Sequence, residues 1–97
     1  MSDLRTVVER TGADLEDSVV VRYWAGARQA AGVESDVVVA TTVGEALDAV
    51  LDLRPALAPI LALSSVLVDG HAGSASERER QVQRGGVVEV LPPFAGG

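Results

Sequence analysis

Val87-Val88-Glu89-Val90-Leu91-Pro92-Pro93-Phe94-Ala95-Gly96-Gly97 closes a chain of 97 residues, and its reading decides the fold. The first five residues are β-branched or aliphatic around a single carboxylate, the composition of a strand. Pro92 and Pro93 end it, because neither nitrogen can donate to a ladder and both rings fix φ. Two consecutive prolines favour a stiff, extended spacer. After one bulky apolar residue, Phe94, the side chains shrink through Ala95 to Gly96 and Gly97. Strand, stiff spacer, apolar anchor and bare glycines together make a projecting rod. Such a rod can enter a narrow channel, since glycine lets backbone approach closely. It delivers an α-carboxylate, ionised at neutral pH from an ordinary pKa of about 3.5. That group is a poor electrophile until another enzyme activates it. The plainer reading is a frayed terminus, where glycine is common.

Strand alternation puts Val88 and Val90 on the core side of this last strand and Val87, Glu89 and Leu91 on the other. The same rule applies to the first strand, Ser18 to Trp24. Val19, Val21 and Tyr23 form its apolar face, which leaves Val20, Arg22 and Trp24 outside. Ala25 to Ala31 reads as a short helical turn closed by Gly32. Arg28, within it, is a solvated arginine or a docking charge. Glu34 to Ala40 is a second strand, close enough in sequence to pair antiparallel with the first. Thr42 and Glu45 make a capping-box pattern. The helix that follows carries Val43, Ala46, Leu47, Val50 and Leu51 on one face and is stopped near Leu53 by Pro55. Ala56 to Leu63, with Pro59 inside it, predicts a short broken helical stretch. Ser65 to Val68 is a third strand, followed by the turn signal Asp69-Gly70.

His71 reads as a turn residue, and Gly73 to Arg84 as a solvated loop or helical turn. Gly85-Gly86 is the turn into the last strand. No lysine, serine or threonine follows it, so it is not a phosphate loop. Residues 1–17 are polar, with Leu4, Val7 and Val8 at helical spacing, and read as an extension too short to be helical alone. The expected organisation is thus an extension over 1–17, a folded domain over 18–91 and a projecting tail over 92–97. Strand, strand, helix, short helix, strand, strand fits an α+β roll with one main helix on a mixed sheet.

Composition narrows the function. The net charge is −6 and all eight basic residues are arginine. An acidic chain is a poor ligand for nucleic acid, whose binding rests on neutralising phosphates. It suits a partner with a basic docking face, or simply aids solubility. Without cysteine there is no thiol for a persulfide, a nucleophile or a disulfide. Without lysine there is no side-chain amine to accept the chain's own activated end. No Ser/His/Asp, Cys/His or metal-ligand cluster is visible, so the chain reads as non-catalytic alone, binding neither metal nor cofactor. No apolar run reaches the length of a membrane span. Met1-Ser2-Asp3-Leu4-Arg5 lacks the basic and apolar regions of a signal peptide, so a cytoplasmic location is expected.

The segment Val87 to Gly97 resembles the C-terminus of the MoaD/ThiS ubiquitin-like sulfur carriers. It is most similar to the small subunit of molybdopterin synthase, whose tails read Pro-Pro-x-x-Gly-Gly. Val21-Arg22-Tyr23-Trp24-Ala25-Gly26-Ala27-Arg28-Gln29 is similar to that family's first strand and its exit. Thr42-Val43-Gly44-Glu45-Ala46-Leu47 is similar to the start of its main helix. Arg84-Gly85-Gly86 departs from the acidic turn usual there. The resemblance covers residues 18 to 97 and implies a β-grasp fold.

It also implies a mechanism. An E1-like adenylating enzyme, using ATP, transfers AMP to the terminal carboxylate of Gly97. A sulfur donor protein then supplies sulfur to give a thiocarboxylate. The large synthase subunit takes up Pro92, Pro93, Phe94, Ala95 and Gly96 in its channel, and that sulfur becomes a dithiolene sulfur of molybdopterin. Leu91 and Trp24 are expected to form one exposed apolar patch at the base of the tail, docking both partners. The same Gly-Gly end also fits carriers for cysteine or thiamine synthesis. A β-grasp interaction module whose terminus does no chemistry is the reading from a different class.

Overall fold

The computed structural model describes residues 18–74 and 76–93. The expectations for residues 1–17 and for Phe94, Ala95, Gly96 and Gly97 lie outside the described residues. Within them the elements run β1 (Ser18–Tyr23), α1 (Ala25–Ala31), β2 (Ser35–Val39) and α2 (Val43–Leu53). A 3₁₀ turn (Pro55–Leu57) follows, then α3 (Ala58–Leu61), β3 (Ser65–Val68), β4 (His71–Ser74) and β5 (Val87–Leu91).

The five strands make one sheet in the order β2-β1-β5-β3-β4. β1 pairs antiparallel with β2, in a register that sets Val20 against Val37. On its other side β1 runs parallel to β5, with Val20 against Val87 and Tyr23 against Val90. β3 is antiparallel to both β5 and β4. The first and last strands are therefore neighbours at the centre of the sheet. One face is covered by α2, whose Val43, Ala46, Leu47 and Val50 are buried against Val19, Val21, Val66, Val88 and Val90. The alternation read in β1 and β5 holds: Val19, Val21, Tyr23, Val88 and Val90 are core. A mixed sheet wrapped on one main helix in this order is the β-grasp roll.

Local chemistry explains the helix boundaries. The Thr42 hydroxyl accepts from the Glu45 amide at 3.1 Å, satisfying a donor the first turn would otherwise leave free. The reciprocal half of the box is shifted by one residue. The Glu45 carboxylate takes the amide and hydroxyl of Thr41, at 2.8 and 3.0 Å, rather than the amide of Thr42. These bonds, the Thr41 amide first, hold the Glu45 carboxyl below its ordinary pKa. α1 ends in Gly32 at φ 78°, a left-handed cap that suits glycine. Asp69 and Gly70 both have positive φ, the signature of a type I′ hairpin turn.

Two expectations need correction. His71 is not a turn residue but the first residue of β4, opposite Val68. Gly73 and Ser74, expected in a loop, complete that strand. Hairpin geometry after the Asp69-Gly70 turn supplies the pairing that His-Ala-Gly-Ser composition does not advertise. Gly85-Gly86 does turn into β5, and closely. The Gly85 amide donates to the Ser18 carbonyl at 2.7 Å, and the Val20 amide to the Gly86 carbonyl at 2.9 Å. A Cβ on Gly86 would sit 2.8 Å from the Gln83 carbonyl and 3.0 Å from the Asp69 carboxylate. That close approach is why the turn carries no side chain there.

A polar clasp closes the edge of the core. Asp36 receives two bonds from Arg54, Nε to Oδ2 and Nη2 to Oδ1, both 2.7 Å, and one from the Tyr23 hydroxyl at 2.6 Å. Arg54 also donates to the Ala31 carbonyl at 3.3 Å. One carboxylate thereby ties β1, β2, the end of α1 and the end of α2. The paired guanidinium holds the Asp36 carboxyl below its ordinary range. Burial, then the Asp36 bond, pushes the Tyr23 phenol well above its own.

Candidate functional site

β5 is a central strand, and it delivers the chain at its end to Pro92 and Pro93. Pro92 is half-buried and Pro93 exposed, so the spacer leaves the body at this point. The register places Trp24 beside this exit, since Tyr23 lies against Val90 and the Trp24 amide donates to the Val90 carbonyl at 3.2 Å. Trp24 has extended backbone and serves as the cap residue of α1, its carbonyl accepting from the Ala27 amide at 3.0 Å. The next residue, Ala25, sits at φ 49°. A left-handed alanine is a strained choice, and strain of this kind collects where a side chain must be aimed. Here it turns the chain into α1 while leaving the indole on the outer face, 42% exposed.

The indole is held by polar neighbours. Its Nε1 donates to Glu89 Oε1 at 2.9 Å. The Arg22 guanidinium carbon lies 5.9 Å from the ring centroid, within cation–π reach. Arg22 and Glu89 also face each other in the β1–β5 register. The result is an oriented aromatic surface flanked by one cation and one anion.

The expected single patch of Trp24 and Leu91 is therefore modified. Leu91 projects from the outer face but is half-buried. It lies on a strand with neighbours on both sides and is opposite Ser65 of β3. Glu89, not Leu91, bonds the indole. Nothing in the sequence flags a contact that spans 65 residues; the parallel β1–β5 pairing creates it.

Other candidates stand away from the exit. His71 is exposed on β4, at the end of the sheet where β5 begins rather than where it ends. Its carbonyl accepts from Arg80 Nη2 at 2.8 Å. Arg28 is exposed and lies 3.5 Å from Glu34, a pairing that fits the solvated reading. Among the described residues no cluster of His, Cys, Asp or Glu could hold a metal. No helix among them is long and apolar enough to cross a membrane.

A scan against family models and a search of curated proteins gave no match. Solved structures do match. Small archaeal modifier protein 1 from Methanosarcina acetivorans is 22% identical, with a TM-score of 0.74 over 84% of this chain and 98% of its own. Small archaeal modifier protein 1 from Haloferax volcanii is 26% identical, with a TM-score of 0.71 over 82% and 99%. Subunit 1 of the molybdopterin-converting factor from Helicobacter pylori, solved in complex with subunit 2, is also similar. It is 22% identical, with a TM-score of 0.61 over 82% of this chain and 99% of the match. These proteins and this chain share a ubiquitin-like fold over almost the full length of the matched proteins.

Proposed function

We propose that this chain is a ubiquitin-like sulfur carrier that works as the small subunit of a molybdopterin synthase. The observation that carries the proposal is the pairing of this fold with a central strand running directly into Pro92-Pro93 beside an exposed, oriented Trp24. An E1-like enzyme converts the Gly97 carboxylate to an acyl adenylate, releasing pyrophosphate from ATP. A persulfide on a donor protein displaces AMP to give an acyl disulfide. Attack of a second thiol on the donor's sulfur breaks that S–S bond, leaving the terminus as a thiocarboxylate and the two thiols as a disulfide. Pro92 and Pro93 form a stiff spacer that carries Phe94, Ala95, Gly96 and Gly97 to the large subunit, and Phe94 sets the depth. Trp24 and Leu91 form the docking surface for both partners. The complex of the Helicobacter pylori converting-factor subunits supports a large-subunit partner.

Incubation with a cognate adenylating enzyme, ATP and a sulfur donor is expected to exchange one oxygen for sulfur on the intact mass. Deleting Gly97, or adding one residue after it, abolishes the exchange while the melting point stays put, because the carboxylate is moved out of register. Sulfur found at any other residue would falsify the assignment. Adding a large subunit and molybdopterin precursor separates this role from carriers for cysteine or thiamine synthesis, which transfer sulfur elsewhere. An interaction module would be indifferent to loss of Gly96 and Gly97.

The likeness to the small archaeal modifier proteins favours a second reading. The same acyl adenylate, attacked by a lysine amine of another protein, would lose AMP and form an amide. Immunoblotting for higher-mass adducts in cells with and without the adenylating enzyme distinguishes the two.

A further inference from the structure

The sheet has two edges, and they are treated differently. β4 is short, contains Gly73, and has its first carbonyl covered by Arg80. β2 is the other edge. Two hydrogen bonds set its phase. The Tyr23 amide donates to the Glu34 carbonyl at 2.9 Å, and the Val20 amide turns away from β2 to the Gly86 carbonyl. In an antiparallel pair the bonded residues alternate. Glu34, Asp36 and Val38 therefore direct their main-chain groups at β1, and Ser35, Val37 and Val39 direct theirs outward. Among the described residues nothing bonds these outward amides and carbonyls.

Natural sheets blunt such edges with lysine, proline, bulges or charges. Ser35-Asp36-Val37-Val38-Val39 has no lysine or proline, and it pairs with β1 without a bulge. Its one charge, Asp36, faces inward and is saturated by Arg54 and Tyr23. Two of the three outward residues are apolar, Val37 at 45% and Val39 at 42% exposed, and the third, Ser35, is exposed and uncharged. The strand is unpaired on its outer side among the described residues and carries no bulge, proline or lysine.

We infer that the β2 edge is a strand-addition site for an extended, cationic segment of another protein, with apolar side chains at alternate positions. Main-chain bonds to Ser35, Val37 and Val39 supply the affinity. Apolar side chains opposite them share the outer face with Val37 and Val39 and supply the register. Charge selects this occupant over a second copy. Two copies would each bring a charge of −6, whereas a strand flanked by arginine or lysine is attracted. Ser35 lies opposite Arg22, near the end of the sheet from which the tail departs. An added strand would stand three strand spacings from β5, roughly 14 Å, so the segment can be held while the tail is engaged.

The test uses the full chain, labelled with nitrogen-15, and the peptide Arg-Val-Thr-Val-Thr-Val-Arg. In the free chain the Val37 and Val39 amides exchange freely with solvent, and the Val38 amide, already bonded to β1, does not. Saturating peptide slows exchange at Val37 and Val39 at least tenfold and leaves Val38 unchanged. The same peptide with glutamate ends binds at least tenfold more weakly. Val37→Pro removes an outward donor without costing a β1 bond and abolishes the protection. Val37→Lys, which keeps the backbone, weakens the arginine-ended peptide about tenfold and covers the case in which the proline variant does not fold. Three results overturn the inference: no slowing at Val37 and Val39, equal binding of both peptides, or protection of these amides in the free chain. Protection independent of concentration would mean the chain covers its own edge, and protection that grows with concentration would mean a second copy does.

Discussion

At the scale of the residue, Asp36 is the group on which most depends. Its parity in β2 is that of buried Val38, and a carboxylate at core parity signals a waiting partner. That signal was available in the sequence, but the partners were not. Tyr23 and Arg54 lie 13 and 18 residues away and meet Asp36 only when β1, β2 and the end of α2 converge. Asp36→Ala strands a half-buried guanidinium and is expected to cost about 2 kcal/mol in urea unfolding, between the values for surface and buried pairs. The pH dependence follows from the two shifted groups. The Asp36 carboxyl lies below its unfolded value. Its contribution is therefore complete above about pH 4 and is lost as pH falls through the folded value. The Tyr23 phenol lies above its unfolded value. Its contribution is complete below about pH 10 and is lost as pH climbs. Stability measured against pH should show a plateau between these limits, and Asp36→Ala should flatten the acid limb. Ala25 makes the opposite kind of prediction. Glycine relieves its left-handed backbone, so Ala25→Gly should be neutral or stabilising by up to about 1 kcal/mol. Ala30→Gly, in the regular part of α1, should lose about 1 kcal/mol.

At the scale of the element, β1, α2 and β5 were legible because their periodicities are clean and their stops are chemical: Gly32, Thr42, Pro55 and Pro92. The α3 region was legible as a broken helix for the same reason, since Pro55 and Pro59 each open a short turn. β4 was not, because His71-Ala72-Gly73-Ser74 carries no strand signature until β3 offers it a ladder. That β1 and β5 are neighbours is what the β-grasp resemblance implies, and the structure shows them parallel; alternation alone does not say which strands adjoin. That union decides what Trp24 faces. Trp24→Ala removes an exposed ring, so the melting point should hold while affinity for the adenylating enzyme and the large subunit drops at least tenfold, about 1.4 kcal/mol. A melting point lowered as by a core deletion, about 3–5 kcal/mol, would place the indole in the interior. Leu91→Asp should also weaken docking, but with some loss of stability, because Leu91 is half-buried.

At the scale of the molecule, α2 and the sheet bury one another, and Ser18 opens β1 already paired with Val39. Deleting residues 1–15 should shift unfolding free energy by less than about 2 kcal/mol, the scale of an ordinary core substitution, as calorimetry can show. The reading of the tail rests on the family resemblance and on a Gly-Gly end in a chain without cysteine, whereas what Trp24 faces required the sheet to be assembled. The parallel pairing of the first and last strands has a mechanical consequence. β1 enters at one end of the sheet and β5 leaves at the other, side by side. Tension applied to the tail while the rest of the body is gripped therefore loads every rung between them at once, in shear, instead of opening the ladder one bond at a time. The tail can be tugged hard by whatever holds it, and the fold behind it stays shut.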